Sequence, residues 1–159
     1  MTPETQIVPL LSPADVQSAG ATVSLHTGKF NGTVQVLFLI GAVTGDNPIL
    51  LAYGGATKAA TTTEIPFRWR KAGADTGAAG ADVFGARTVQ AADTVGLALG
   101  VAATADLRCY IVEIDVDDMP DGKPWLSVFL DDGSASVLLA AALAIGTPRY
   151  AGDTHTTAL

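Results

Sequence analysis

Residues 107–132 read LRCYIVEIDVDDMPDGKPWLSVFLDD, and the spacing of apolar side chains in this stretch decides the fold class. Tyr110, Val112, Ile114 and Val116 fall on one side of an extended chain, and Ile111, Glu113 and Asp115 fall on the other. A repeat of two is the mark of a β-strand with one face in a core and the other mostly in water. Trp125–Asp131 reads as a second strand, and Pro120-Asp121-Gly122 between the two has the chemistry of a turn. The expectation is a pair of antiparallel strands joined as a hairpin, in an all-β domain.

The flanking sequence extends the pattern. In Thr33–Ala42, Val34, Val36, Phe38 and Ile40 share one face and Leu37 and Leu39 the other, so this strand is predicted to be covered on both sides. Thr61–Lys71 alternates Ile65, Phe67 and Trp69 with Glu64, Arg68 and Arg70, and Pro66 marks an edge or a bulge. Ala21–His26, Ile49–Tyr53 and Thr94–Leu99 read as shorter strands, and residues 72–86 as a long Gly- and Ala-rich loop. Ser136–Ile145 has helix propensity in its Leu-Ala run, yet an all-β chain favours a strand there. Seven to nine strands without βα alternation predict a single β-sandwich or jelly-roll-like domain over residues 21–147.

Residues 1–20 carry Pro3, Pro9 and Pro13 with Ile7, Val8, Leu10 and Leu11 between them. Prolines oppose a regular helix and a central strand, so this segment is predicted to be an extended arm lying on its own domain or on a neighbour. Ile7, Val8, Leu10, Leu11, Leu37 and Leu39 are the candidate interface residues. Residues 148–159 read as a polar C-terminal tail.

The bulk numbers exclude several function classes. The chain has 159 residues, 48% of them apolar, and a net charge of −7. Phosphate backbones and anionic membrane surfaces would be repelled, so neither nucleic acid nor membrane is an expected partner. The longest uncharged apolar run, residues 134–145, is short of the roughly 20 residues of a membrane-spanning helix. The N-terminus has neither the basic nor the apolar region of a signal peptide, which predicts a protein made and kept in a cytoplasm or assembled there. Cys109 is the single cysteine, so no intrachain disulfide forms, and a buried inert thiol is expected.

No residue set spells out a reaction. His26 and His155 are the only histidines, sit apart in sequence, and are expected on the surface. Gly54-Gly55-Ala56-Thr57-Lys58 lacks phosphate-loop spacing and reads as a loose turn. Asp115, Asp117, Asp118 and Asp121 begin like a calcium loop, but Leu126 stands where the bidentate Glu belongs, which leaves an acidic, solvated turn; Asp131 and Asp132 are the other carboxylates within reach. Trp69 and Trp125 could stack on a sugar, although core or interface burial is the default for both. No catalytic residue, metal ligand or cofactor is expected, and the chain is read as a non-enzyme.

Three stretches occur in order: IVPLLSPADVQSAG from Ile7, FRWRKAGADTGAAGADVFGA from Phe67, and YIVEIDVDDMPDGKPWLSVFL from Tyr110 followed by IGTPRYAG from Ile145. Together they resemble a family of small virion structural proteins of tailed bacteriophages and prophages, the head decoration or cement proteins. The resemblance implies a β-sandwich or jelly-roll core, a homotrimer on the outer capsid surface, and the major capsid protein as partner. It implies a virion location and carries no active site. The alternatives are a carbohydrate- or receptor-binding module of a head fibre or tail, and a head–tail joining or tail-completion protein.

Overall fold

Alternating apolar residues build two antiparallel sheets that face one another. The structure, a computed structural model, describes residues 5–16, 20–44, 47–72, 83–92, 95–100, 107–131 and 137–149. Its strands are β1 (Gln6–Asp15), β2 (Ala21–His26), β3 (Phe30–Thr44), β4 (Ile49–Gly55), β5 (Thr63–Glu64), β6 (Phe67–Ala72), β7 (Thr88–Gln90), β8 (Leu97–Ala98), β9 (Arg108–Asp115), β10 (Trp125–Asp131) and β11 (Val137–Pro148). One sheet runs β1-β11-β3-β9-β6-β7; the other runs β2-β10-β4-β5, with β8 also paired to β4. The described residues contain no α-helix, only two short 3-10 turns at Thr27–Lys29 and Val116–Asp118. The fold is an all-β sandwich, as the alternation predicts.

The inward faces form one core. Val34, Val36 and Phe38 of β3 and Tyr110, Val112 and Ile114 of β9 meet Leu126, Val128 and Leu130 of β10 and Leu50 and Ala52 of β4. On β11 the inward positions Ala140, Ala142 and Ala144 are small and buried. They receive Phe38 and Val36 of the paired β3 beside them, which gives the alanine-rich strand its packing reason. The segment Val137–Pro148 is a strand because both neighbours, β1 and β3, need a partner for their backbone groups.

The hairpin expected at 107–132 does not form. β9 lies in the six-stranded sheet and β10 in the five-stranded sheet, so the connection crosses the sandwich instead of turning back on itself. The alternation of Tyr110, Val112 and Ile114 identifies an inward face, but it does not say which strand lies alongside. The connection is also too long for a two-residue turn: the 3-10 turn at Val116–Asp118 and a tight turn closed by Lys123 N–H to Pro120 C=O at 3.0 Å take up its length. Pro120 seals one end of the sandwich against Gly54, where a Cβ would stand 2.9 Å from the proline Cδ. Lys123 Nζ donates to Thr63 Oγ1 beside it.

The strand expected over Thr61–Lys71 also changes sheets. Pro66 and buried Ile65 separate β5 from β6, and Ile65 N–H donates to Ala52 C=O at 3.0 Å before the chain crosses over. Residues 6–15 of the expected arm form β1, an edge strand on this domain. Its register against β11 shifts between Pro9 and Leu11 and again between Leu11 and Ala14, so Pro9 and Pro13 sit at or beside irregularities of an edge. At the other end of the chain, Pro148 still belongs to β11 and Arg149 N–H donates to Lys29 C=O at 2.8 Å. The tail beyond it, and most of the loop expected over 72–86, lie outside the described residues.

Gly54→Ala should lower stability by roughly 1–3 kcal/mol, because the proline it meets is rigid and anchored; chemical denaturation measures it. Tyr110 reports on the core. Its hydroxyl donates to Leu99 C=O at 3.1 Å, and burial raises the phenol above its ordinary value of 10.0, with Arg108 pulling the other way. The folded state thus holds this proton after the unfolded chain has lost it. Its contribution is full below pH 10 and is lost as pH rises through the folded value. Tyr110→Phe should flatten that alkaline loss, and at neutral pH should cost about 1–2 kcal/mol by leaving the Leu99 carbonyl unpaired.

Candidate functional site

Strand register fixes which side chains share the outer face of the six-stranded sheet. Glu113 stands opposite Gln35 and Arg68, Ile111 opposite Leu37 and Arg70, and Cys109 opposite Leu39 and Ala72. On β11, Ala141 faces Leu39 and Leu143 faces Leu37. Ile7 and Pro9 of β1 continue the row against Ile145 and Leu143. The face has two halves with different cover.

Residues 83–87 strap over the half formed by β9 and β6. Gly85 N–H donates to Lys71 C=O at 2.9 Å, and the Arg70 guanidinium lies 5.5 Å from the centre of the Phe84 ring. Beneath them the Glu113 side chain is fully buried. Arg70 Nη2 lies 3.0 Å from its Oε1, which also accepts from Gln35 Nε2 at 3.1 Å and Arg87 Nη2 at 3.3 Å. Arg87 Nε approaches Oε2 to 2.6 Å, a close ion contact without hydrogen-bond alignment. The face of β9 expected to be wet is therefore dry at Glu113 and Ile111. The sequence carries one trace of this: Arg68 and Arg70, two apart on β6, occupy the same outward face as the carboxylates they meet.

The half formed by β1, β11 and β3 is open and apolar. Ile7 is 62% exposed, Leu39 46% and Leu139 42%, with Leu37, Leu143 and Ile145 half-buried between them. A hollow of ≈ 470 Å³ lies between Pro13–Asp15 of β1, Leu39–Gly41 of β3 and Leu139–Ala141 of β11. Gly41 makes that geometry possible: a Cβ there would stand 3.0 Å from Leu139 Cβ, at the bulge where β3 and β11 lose register. Asp15, at the rim, accepts Leu138 N–H at 3.1 Å.

The other sheet is closed differently. Residues 56–60 fold over its outer face, where Ser24 Oγ and Ser127 Oγ are 3.0 Å apart and Ala59 N–H donates to Ser24 Oγ at 3.1 Å. Gly96 lies against Leu51 and the Leu50 carbonyl. Of the eight large apolar side chains exposed among the described residues, Val95 alone belongs to this side. Ile7, Leu39, Val89, Leu107 and Leu139 lie on or next to the strands of the six-stranded sheet, and Val83 and Phe84 lie on its strap.

The structure thus brings together Ile7, Leu37 and Leu39 from the expected interface set. Val8 instead faces the core at 5% exposure, and Leu10 and Leu11 are half-buried against it. Leu139 and the hollow were missed, because Ser136–Ile145 shows apolar character on both sides without telling which side is covered. His26 is half-buried, not a free surface group: its ring meets Trp125 edge-on at 5.2 Å, and Nδ1 is buried without a hydrogen-bond partner. His155 and Asp132 lie outside the described residues. Gly54 and Gly55 are the last residues of β4. Asp115 pairs with Arg68 at 3.7 Å, and no three His, Cys, Asp or Glu side chains converge as a metal set among the described residues. Cys109 is half-exposed on the outer face, and burial raises its thiol above the ordinary 9.0. Trp69 packs against the core and Trp125 lies on the outer face of the opposite sheet, so the two share no platform.

Glu113→Ala should destabilise the fold by about 2–3 kcal/mol. That is below the full cost of a broken buried pair, because the Arg70 and Arg87 side chains are 31% and 54% exposed and regain water. Thermal unfolding of Glu113→Ala, Arg70→Ala and the double variant measures it. The double variant should lose much less than the sum of the singles, since both remove the same contact.

No family model and no curated protein matches the chain. Among solved structures, the infectious bursal disease virus VP2 subviral particle is similar over 92% of this chain and 42% of that chain, at 11% identity and a TM-score of 0.17. A structure of the infectious bursal disease virus Gx strain covers 93% and 42%, at 12% identity and a TM-score of 0.14. The chain therefore spans well under half the length of the chains it is matched to, and similarity at these TM-scores carries no argument about function.

Proposed function

We propose that this chain is a structural subunit of a tailed-phage virion, a decoration or cement protein that binds the outer capsid surface and stabilises it. The observation that carries the reading is the open apolar half-face built by Ile7, Leu37, Leu39 and Leu139 on a sheet whose opposite face is already fully used by the core. A contiguous apolar face of this kind is the signature of a protein–protein contact. The edge beside it is guarded by Pro9 and Pro13, which disfavour strand addition and leave the face as the route for a partner. The sequence resemblance implies two partners for the chain, a major capsid protein and further copies of itself. The carbohydrate-binding alternative draws no support from Trp69 and Trp125, which lie on different sheets.

Deleting residues 1–20 would be no test of the face, since it takes away β1 and bares the edge of β11. The test is co-sedimentation of the intact chain with empty shells of the major capsid protein encoded beside it. The expected result is saturable binding at a fixed number of copies per shell, with the shells melting at a higher temperature. A chain that stays in the supernatant and leaves shell melting unchanged contradicts the proposal.

A further inference from the structure

We infer that the outer face of the six-stranded sheet pairs with the same face of a second copy of this chain, across a two-fold axis. This rests on reading that face as a protein interface, and names its occupant.

Area is the first argument. Six strands at ~4.8 Å spacing, over the seven residues from Leu139 to Ile145 at ~3.3 Å each, give a face of about 670 Å². A standard interface buries ≈ 800 Å² on each partner, so the whole face is of the right order, whereas the open apolar half alone is too small. The strapped half suits the remainder: Phe84 is 37% exposed over Arg70, and aromatic and arginine side chains are the ones enriched in interfaces.

Charge is the second. The chain carries −7, but on this face Arg68, Arg70 and Arg87 stand against Glu113, Asp115 and Asp15. These described charges balance on the face, so two copies meeting here bring near-neutral strand surfaces together.

Shape is the third. Leu39 and Leu139 are the exposed walls of the ≈ 470 Å³ hollow that Pro13, Ala14, Gly41 and Ala141 also line. Across a two-fold axis, the apolar leucine wall of one copy can seat in the hollow of the other, as an isologous interface requires. Strand addition at β1 would give a different dimer, which Pro9 and Pro13 oppose. The homotrimer implied by the sequence resemblance would need a heterologous contact instead.

The test is sedimentation equilibrium of the full chain from about 1 to 100 μM, the range in which interfaces of modest size associate. The expected mass at the upper end is twice 16.2 kDa. Leu39→Asp and Leu139→Asp should each weaken pairing at least 10-fold with the circular dichroism spectrum unchanged. Val95→Asp, a substitution at a side chain 70% exposed on the other side of the sandwich, should leave pairing intact. A chain of single mass throughout, a mass of three copies, or a dimer indifferent to both leucine substitutions overturns the inference. Should the variants unfold, masking of Cys109 against a thiol reagent in the intact chain at high concentration decides, and unchanged labelling counts against pairing. A single-mass chain that still decorates shells defeats the pairing and leaves the virion function standing. A dimer that ignores shells does the reverse.

Discussion

Burial of one apolar face per strand against the opposite sheet is the constraint on which the rest of this molecule depends. Tyr110, Val112 and Ile114 have to find Leu126, Val128 and Leu130, and they find them by facing them, not by lying alongside. Among the described strands, β4–β5 and β6–β7 are successive pairs within one sheet; the other eight successive pairs lie in opposite sheets. Each crossing delivers another inward row to the same core. Backbone pairing is therefore long-range almost everywhere, with β1 held by β11 and β3 by β9 and β11. A chain of this topology is expected to fold slowly for its size.

Filling the core leaves the two outer faces as separate problems, and the chain solves them differently. The five-stranded sheet is closed by its own loops over Ser24, Ser127 and Leu51. The six-stranded sheet is closed over β9 and β6 by a strap and a buried carboxylate, and stays open over β1, β11 and β3. The buried carboxylate costs desolvation that Arg70, Arg87 and Gln35 must offset, so it serves position more than stability. It holds the strap, and with it Phe84, at a fixed height over the sheet. The open half is then continuous with a rigid platform, which suits a surface used for assembly.

What the sequence revealed and what it hid have the same physical origin. Period-two alternation reports which side chains turn inward, so the core rows of β3 and β9 and the all-β class were legible from Val34, Tyr110 and their neighbours. Alternation says nothing about which strand lies next to which, so β9 and β10 were read as a hairpin although they sit in different sheets. Proline was overread in the same way. Pro9 and Pro13 exclude a central strand, but an edge strand with shifted register tolerates them, and residues 6–15 are such a strand. In the candidate site, Leu37 and Leu39 were legible because a strand apolar on both sides needs two kinds of cover. Glu113 was not, because its burial depends on arginines 26 and 43 positions away in the chain.

The central claim is that the open half of the outer face is covered when this protein does its work. Cys109, the single cysteine, lies on β9 where it borders the open half, opposite Leu39 and half-exposed, so its reactivity reports on the cover. The decisive measurement is the rate of Cys109 alkylation at mildly alkaline pH in the dilute chain and in assembled particles, with the denatured chain as reference. The account predicts slow but complete labelling of the dilute chain and strong protection in the particle. Equal rates in the dilute chain and in the particle would contradict it.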